Sequence, residues 1–100
     1  MPTIFQEKVY KACKKIPKGK VATYADIAHA LGGKGYRAVG SALNKNPYAP
    51  RVPCHRVVGA SGRIGGFAGG VKKKIAILKK EGVHVSCGKI VDFEKKRMRF

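Results

Sequence analysis

Apolar residues near the start of the chain follow the spacing of a helix. They recur at the three- and four-residue intervals of one helix face: Phe5, Val9, Ala12, Cys13 and Ile16. Thr3 and Gln6 have the spacing of a capping box before this face, and Pro17 is expected to end the helix. Because Cys13 lies on the apolar face, we interpret it as a small buried hydrophobic residue.

Two more short helices are predicted next, joined by a glycine-rich turn. Thr23 and Asp26 have capping-box spacing before a helix that ends at Gly32, and residues 36–43 predict the following helix. Two short helices joined in this way are typical of a helix-turn-helix motif. Gly40 costs a helix interior about 1 kcal/mol. Its backbone is therefore expected to approach either DNA or a neighbouring helix closely.

The middle of the chain is predicted to contain little helix. Residues 44–53 include three prolines and predict an ordered loop. Residues 56–58 and 63–64 flank the turn-forming residues 59–62, which predicts a small hairpin that could serve as a wing. Residues 65–70 form a flexible stretch rich in glycine.

A lysine-rich amphipathic helix is predicted over residues 71–81, with Gly82 as its stop signal. Residues 83–85 and 90–93 are strand-like, and residues 94–100 form a basic tail that either follows a phosphate backbone or is solvated. The residues of the helix that are expected to point inward are Val71, Ile75 and Leu78.

These elements predict one domain over residues 1–100. Its expected fold is mainly α with a small β-sheet or hairpin, arranged as a winged helix-turn-helix. No C-x-x-C pattern occurs, and the spacing of His84 and Cys87 is weak support for zinc, so we expect neither a metal nor a cofactor.

The net charge indicates which class of partner the chain binds. Lys and Arg number 22 against 5 acidic residues, which gives a net charge of +17. Positive charges in such excess repel one another in a compact domain, which favours a polyanionic partner. Nucleic acid is the first candidate and an acidic membrane surface the second, and a solvated face of lysines is the alternative explanation. There is no apolar stretch of the roughly 20 residues that span a bilayer, and no signal peptide. Three cysteines in such a chain suggest a reducing, intracellular setting.

Cys54 is the candidate nucleophile. A thiolate is strongly nucleophilic, but an ordinary thiol is scarcely ionised at neutral pH and needs a base or positive surroundings. His55 and Arg56 could supply both, although a buried structural thiol remains the alternative. Glu81 is one of the few acids, and at a helix C-terminus its charge opposes the helix dipole. That conflict indicates either a functional role or a salt bridge to a lysine.

Three runs resemble the O6-alkylguanine-DNA alkyltransferases, also called methylated-DNA–protein-cysteine methyltransferases. They are RAVGSAL at residues 37–43, Asn46-Pro47, and VPCHRVV at residues 52–58. The resemblance extends from about Phe5 to Gly82. It implies DNA repair in which an alkyl (methyl) group moves irreversibly from O6-alkylguanine in double-stranded DNA to the protein itself, each molecule acting once and without a cofactor.

The resemblance also implies catalytic roles. Cys54 would accept the alkyl group, and His55, oriented by Glu81, would withdraw the thiol proton through a water molecule. Asn46 would hold the turn at the thiol by hydrogen bonds. Tyr24 would press on the phosphate and donate a proton to the leaving guanine.

On the DNA side, Arg37 would fill the space left by the flipped nucleotide. The small residues Ala38, Gly40 and Ser41 suit the minor groove, through which the family binds. Arg56 is assigned to the same DNA-binding surface. Phe67, which stands where relatives commonly have tyrosine, would wall the pocket.

Two features of the chain depart from the family pattern or leave alternatives open. Many relatives carry a separate N-terminal domain, whereas this chain begins almost at the first helix. Alkyltransferase-like proteins have this short length but lack the acceptor cysteine and only bind lesions; Cys54 argues against that reading. A winged-helix regulator with a structural Cys54 is a third possibility. A monomer is expected, located in the cytoplasm with the nucleoid, or in the nucleus of a eukaryote, and without a membrane partner.

Overall fold

The computed structural model describes residues 3–33, 35–45, 52–65 and 70–98. Helices are the main elements of these ranges, with two pairs of short strands, so the expected mainly α fold is confirmed. The elements in chain order are α1 (Ile4–Cys13), β1 (Ala22–Thr23), α2 (Tyr24–Ala30), α3 (Tyr36–Asn44), β2 (Val57–Val58), α4 (Val71–Lys80), β3 (Val85–Ser86), β4 (Lys89–Ile90) and α5 (Phe93–Lys96). Two 3₁₀ turns, Cys54–Arg56 and Ala60–Gly62, flank β2.

Both predicted capping boxes are formed. The Thr3 hydroxyl accepts from the Gln6 amide at 3.1 Å, and the Gln6 side chain accepts from the Thr3 amide at 2.9 Å. Thr23 and Asp26 form the same reciprocal pair at the start of α2, at 2.9 and 3.0 Å. Phe5 does not join the buried face, because the core begins a turn later and leaves this side chain 40% exposed.

Helices α1, α2 and α3 enclose the larger of two buried clusters. The Tyr10 hydroxyl donates to the Ala42 carbonyl at 2.7 Å and ties α1 to α3. Burial places apolar atoms of all three helices out of water, which is the main stabilising contribution to such a core. The members of this cluster are Val9, Tyr10, Ala12, Cys13, Ile16, Ala22, Ile27, Ala28, Val39, Ala42, Leu43, Val52 and Val57.

Helices α2 and α3 form the predicted helix-turn-helix. The turn between them uses Gly32, whose φ of +81° suits glycine. On α3, a Cβ added at Gly40 would lie 3.9 Å from the ring of Tyr24, the first residue of α2. The neighbouring helix is therefore what the Gly40 backbone approaches.

Strand β2 pairs with β1 in parallel, with Ala22 opposite Val57 and Thr23 opposite Val58. The predicted hairpin between residues 56–58 and 63–64 is therefore wrong. Both valines pair with β1, and residues 60–62 form a 3₁₀ turn after which the Arg63 carbonyl accepts from the Gly59 amide, at 2.6 Å, and Arg63 bridges to Lys89.

Helix α4 buries a lysine that the sequence pattern did not assign to the core. Val71 was expected to point inward but is 41% exposed, whereas Lys74 is fully buried beside Leu78. Val71 is the first residue of α4, and Lys74 can be buried because its ammonium has a carbonyl partner. The second buried cluster comprises Val21, Val58, Leu78, Val83 and Ile90.

The C-terminal residues pack back onto the fold. Strands β3 and β4 form an antiparallel pair, but the second predicted strand ends at Ile90 because Asp92 has a φ of +54° and α5 begins at Phe93. The basic tail was expected either to follow phosphates or to be solvated. As far as Met98 the backbone packs onto the fold, since the Met98 amide donates to the Val21 carbonyl at 2.7 Å, while the Lys95 side chain is exposed.

Among the described residues, no helix has the length and apolarity needed to cross a membrane.

Candidate active site and DNA-binding helix

Cys54 opens the 3₁₀ turn that leads into β2. Its amide donates to the Val52 carbonyl at 2.8 Å, and its partly exposed side chain packs at the edge of the larger core cluster. Cys13 is fully buried, and burial together with the charge of Cys54 raises the pKa of the Cys13 thiol to about 12. Such a thiol stays protonated and unreactive. Cys54 is therefore the better-suited nucleophile of the two, since solvent and substrate can reach it.

His55 faces a carboxylate across the fold. Its Nε2 lies 3.1 Å from each carboxylate oxygen of Glu81, and only 6% of the residue is exposed. Because a carboxylate only accepts, Nε2 carries the proton and Nδ1 is left with a lone pair. Burial, the largest influence, lowers the pKa of His55; Glu81 raises it, and the charges of Arg56 and Lys74 lower it again. The pKa therefore falls below its ordinary value, and the imidazole is neutral at physiological pH. A neutral, oriented imidazole can act as a base.

Arg56 holds the same carboxylate from the other side. Its Nε and one terminal nitrogen donate to the two oxygens of Glu81 at 2.9 and 2.7 Å, and the other terminal nitrogen donates to the Ile16 carbonyl at 2.9 Å. Burial alone would raise the pKa of Glu81, but these hydrogen bonds and those of His55 lower it overall. Glu81 therefore stays ionised at the C-terminus of α4, although its charge opposes the helix dipole, because His55 and Arg56 both donate hydrogen bonds to it.

Lys74 is a member of the site that sequence reasoning missed. Its Nζ donates to the Val57 carbonyl at 2.7 Å, on the strand that follows the thiol turn. Burial lowers its pKa to about 8, and the charge of Cys54 acts in the opposite direction. The signal was present in the sequence, because Lys74 shares the apolar face of α4 with Val71 and Leu78.

Tyr24 stands at the first position of α2, close to the thiol. A Cβ added at Gly65 would lie 3.3 Å from its hydroxyl, so the ring is enclosed between this segment and Gly40 of α3. Burial, and then the charge of Cys54, raise the pKa of Tyr24. The phenol is therefore protonated at neutral pH and can donate a proton.

Helix α3 presents one exposed face, which includes Tyr36 and Asn44. Arg37, Ala38 and Ser41 are exposed, and Gly40 is half-buried. Helix packing explains this, because the opposite face of α3 enters the core. Small side chains beside a single arginine leave room for close approach by a ligand. Asn46 and Phe67 lie outside the described residues.

Among the side chains that the structure describes, no group of three or more His, Cys, Asp or Glu residues could hold a metal ion.

The fold and site together define a helix-turn-helix domain in which a partly exposed cysteine directly precedes, in the chain, a histidine paired with a glutamate. Residues 4–83 match the family model described as 6-O-methylguanine DNA methyltransferase, DNA binding domain. The chain therefore belongs to this family.

Named relatives agree with the family match. The chain is 51% identical over 81 residues to a methylated-DNA–protein-cysteine methyltransferase of Methanosarcina acetivorans, covering 80% of this chain and 52% of the relative. It is 49% identical over 80 residues to the protein of that name in Mycobacterium tuberculosis, covering 79% and 48%. The chain thus spans about half the length of these relatives.

Two solved structures resemble this one. Mycobacterium tuberculosis OGT in complex with DNA aligns with a TM-score of 0.78 and 48% identity, over 81% of this chain and 51% of that one. Schizosaccharomyces pombe Atl1, in complex with damaged DNA containing O6-carboxymethylguanine, aligns with a TM-score of 0.83 and 32% identity over the whole of both chains. Together they support the helix-turn-helix assignment.

Proposed function

We propose that this chain repairs O6-alkylguanine in double-stranded DNA by transferring the alkyl group irreversibly to Cys54. The observation that carries the proposal is the neutral His55, oriented by Glu81, next to a partly exposed thiol. The 49–51% identical relatives bear the name of this reaction, which adds support.

The chemistry needs only the chain and its substrate. His55 takes the proton of Cys54 through a water molecule, and the thiolate sulfur attacks the alkyl carbon. The carbon–O6 bond breaks, its electron pair stays on the guanine, and Tyr24 donates the proton that the leaving guanine needs. The product is a thioether, so the protein is consumed once and no cofactor takes part.

DNA recognition uses α3 in the minor groove. Flipping a nucleotide costs a few kcal/mol, and the net charge of +17 supplies attraction for the phosphates that helps to offset it. Arg37 fills the space in the base stack, and Ala38 and Ser41 face the groove floor, whereas Gly40 packs against Tyr24 of α2. The contacts of Arg56 favour a different role from the expected DNA contact, since three of its nitrogens hold Glu81 and Ile16.

The resemblance also supplies roles for two residues outside the described ranges. Asn46 holds the turn at the thiol, and Phe67 walls the alkyl pocket. We propose that the protein acts as a monomer wherever the cell keeps its DNA, in the cytoplasm and nucleoid of a prokaryote or the nucleus of a eukaryote.

Intact-protein mass spectrometry tests the proposal directly. After incubation with a duplex containing O6-methylguanine, the protein should gain the mass of one methylene group, located on the peptide with Cys54. Cys54→Ala should bind the duplex without gaining mass, whereas Cys87→Ser, which changes an exposed thiol, should behave as the wild type. Unmodified wild-type protein after prolonged exposure would refute the transfer.

Lesion binding without transfer is the second candidate. The match to Atl1 over the whole chain favours it, because that protein is described in complex with a damaged duplex. This candidate predicts tight, selective binding to the methylated duplex and no gain of mass. The mass measurement therefore separates the two functions.

A further inference from the structure

The family match ends at residue 83, but the chain continues into a folded segment. Residues 93–98, here called the C-terminal segment, contain α5 and the two residues after it. The Ile64 amide donates to the Gly88 carbonyl at 2.9 Å just before this segment, and Ile90 is buried in the second core cluster. The C-terminal segment is therefore attached to the domain by the elements that precede it.

This segment extends the sheet that carries the active-site strand. The Val21 amide donates to the Lys96 carbonyl at 2.8 Å, and the Met98 amide donates to the Val21 carbonyl at 2.7 Å, in a parallel bridge. Val21 leads directly into β1, whose other edge pairs with β2. The order across the sheet is thus the C-terminal segment, β1, and the strand that follows Cys54.

Arg97 binds the start of α2. Its Nε and one terminal nitrogen donate to the two oxygens of Asp26 at 3.0 and 2.7 Å, and both side chains are mostly buried. Asp26 also accepts from the Thr23 amide. Burial would raise the pKa of Asp26, but Arg97 and Thr23 lower it overall. The first turn of α2, which begins at Tyr24, is consequently held by a bidentate salt bridge between Arg97 and Asp26.

Phe93 packs against the backbone of the 3₁₀ turn Ala60–Gly62. A Cβ added at Gly62 would lie 2.8–3.0 Å from carbon atoms of Phe93, a distance that real side chains do not tolerate. The Arg97 guanidinium lies 5.5 Å from the centre of the Phe93 ring. Arg97 therefore connects α2 with the turn that follows β2.

We propose that Arg97 is a positioning residue, which through Asp26 fixes the first turn of α2 and so places Tyr24 for contact with the DNA phosphate and the flipped base. This inference rests on the proposed function. It assigns a role to a residue that lies beyond residue 83, where the family match ends. Misplacement of a reacting or guiding group by about 1 Å can cost about 100-fold in rate. Loss of the Arg97 contact is expected to slow transfer from duplex DNA by about 10-fold or more.

The test compares Arg97→Gln with Lys95→Gln, which removes the same charge from an exposed position on α5. Each protein is assayed for transfer from a duplex containing O6-methylguanine and from O6-benzylguanine as a free base, which has no phosphate to contact. Arg97→Gln should slow transfer from the duplex more than transfer from the free base, because the free base depends on Tyr24 only for the proton, whereas the duplex also depends on it for the phosphate contact. Arg97→Lys, which preserves the charge, should restore part of the duplex rate.

Asp26→Asn keeps an oxygen for the Thr23 amide but loses the charged partner of Arg97. It should match Arg97→Gln, and the double variant should show no further loss. Equal duplex rates for Arg97→Gln and Lys95→Gln, or an equal fall of Arg97→Gln on both substrates, would overturn the positioning role.

The experiment also distinguishes failure of the proposed function from failure of the positioning role. If wild-type protein transfers nothing from either substrate, transfer is wrong and binding to the methylated duplex decides the role of Arg97. Weaker binding by Arg97→Gln than by Lys95→Gln then supports the inference, and equal binding refutes it.

Discussion

Lys74→Met should change how the stability of the protein depends on pH. Methionine has a similar length and apolar character but no charge, so it removes the cost of burying an ammonium group. The pKa of Lys74 falls from 10.5 to about 8 in the folded protein. At 1.36 kcal/mol for each pKa unit, burial of the charge costs about 3 kcal/mol.

The sign of the effect follows from proton linkage. Between pH 8 and 10.5 the unfolded chain binds more protons at Lys74 than the folded chain, so raising the pH stabilises the wild type. Below pH 8 the cost is fully present. The free energy of unfolding of the wild type, relative to Lys74→Met, should rise by about 1 kcal/mol from pH 7 to pH 9.

Urea unfolding at several pH values measures this difference. Both proteins should carry Cys54→Ala, so that the charge of Cys54, which raises the pKa of Lys74, acts in neither. The raised pKa values of Tyr10 and Tyr24 affect both proteins alike and cancel. Lys73→Met, an exposed change on the same helix, is the control and should give a difference that does not vary with pH. A flat difference for Lys74→Met as well would show that the ammonium is not buried as described.

Three further predictions concern the transfer reaction. Glu81→Gln should slow transfer by about 100-fold, because His55 loses its orienting charge. The control Glu7→Gln, an exposed change on α1, should not slow it, and single-turnover quenching measures both. The wild-type rate should rise with pH through a midpoint below 6.5 and then level off, because the pKa of His55 is lowered. A midpoint above 6.5 would contradict a neutral base. Arg37→Ala should slow transfer from the duplex by about 10-fold, which corresponds to a barrier higher by about 1.4 kcal/mol. With free O6-benzylguanine its rate should equal that of Lys45→Ala, an exposed control.

Local features were predictable from the sequence because their partners are close along the chain. Thr3 and Thr23 cap helices through residues three positions away, and the helix-turn-helix follows from two such short helices. Glu81 stood out because its charge opposed the helix dipole, and the structure supplies the reason in His55 and Arg56.

Contacts between distant residues were not predictable in this way. The hairpin at residues 56–58 was wrong because β2 could be matched with β1 only in the folded chain. Asp26 and Arg97 lie 71 positions apart, and nothing in the local pattern of either residue indicates the other. The burial of Lys74 depends on a carbonyl of β2, so its place on an apolar face alone does not show that it is buried.

The parallel bridge at Val21 has a practical consequence for protein engineering. A variant shortened before Lys96 would leave one edge of β1 without its hydrogen-bonding neighbour. An open strand edge of this kind invites pairing with a second chain, and hence aggregation during expression or storage. Affinity tags and fluorescent labels are thus better attached after a spacer beyond Met98, where they leave this edge covered.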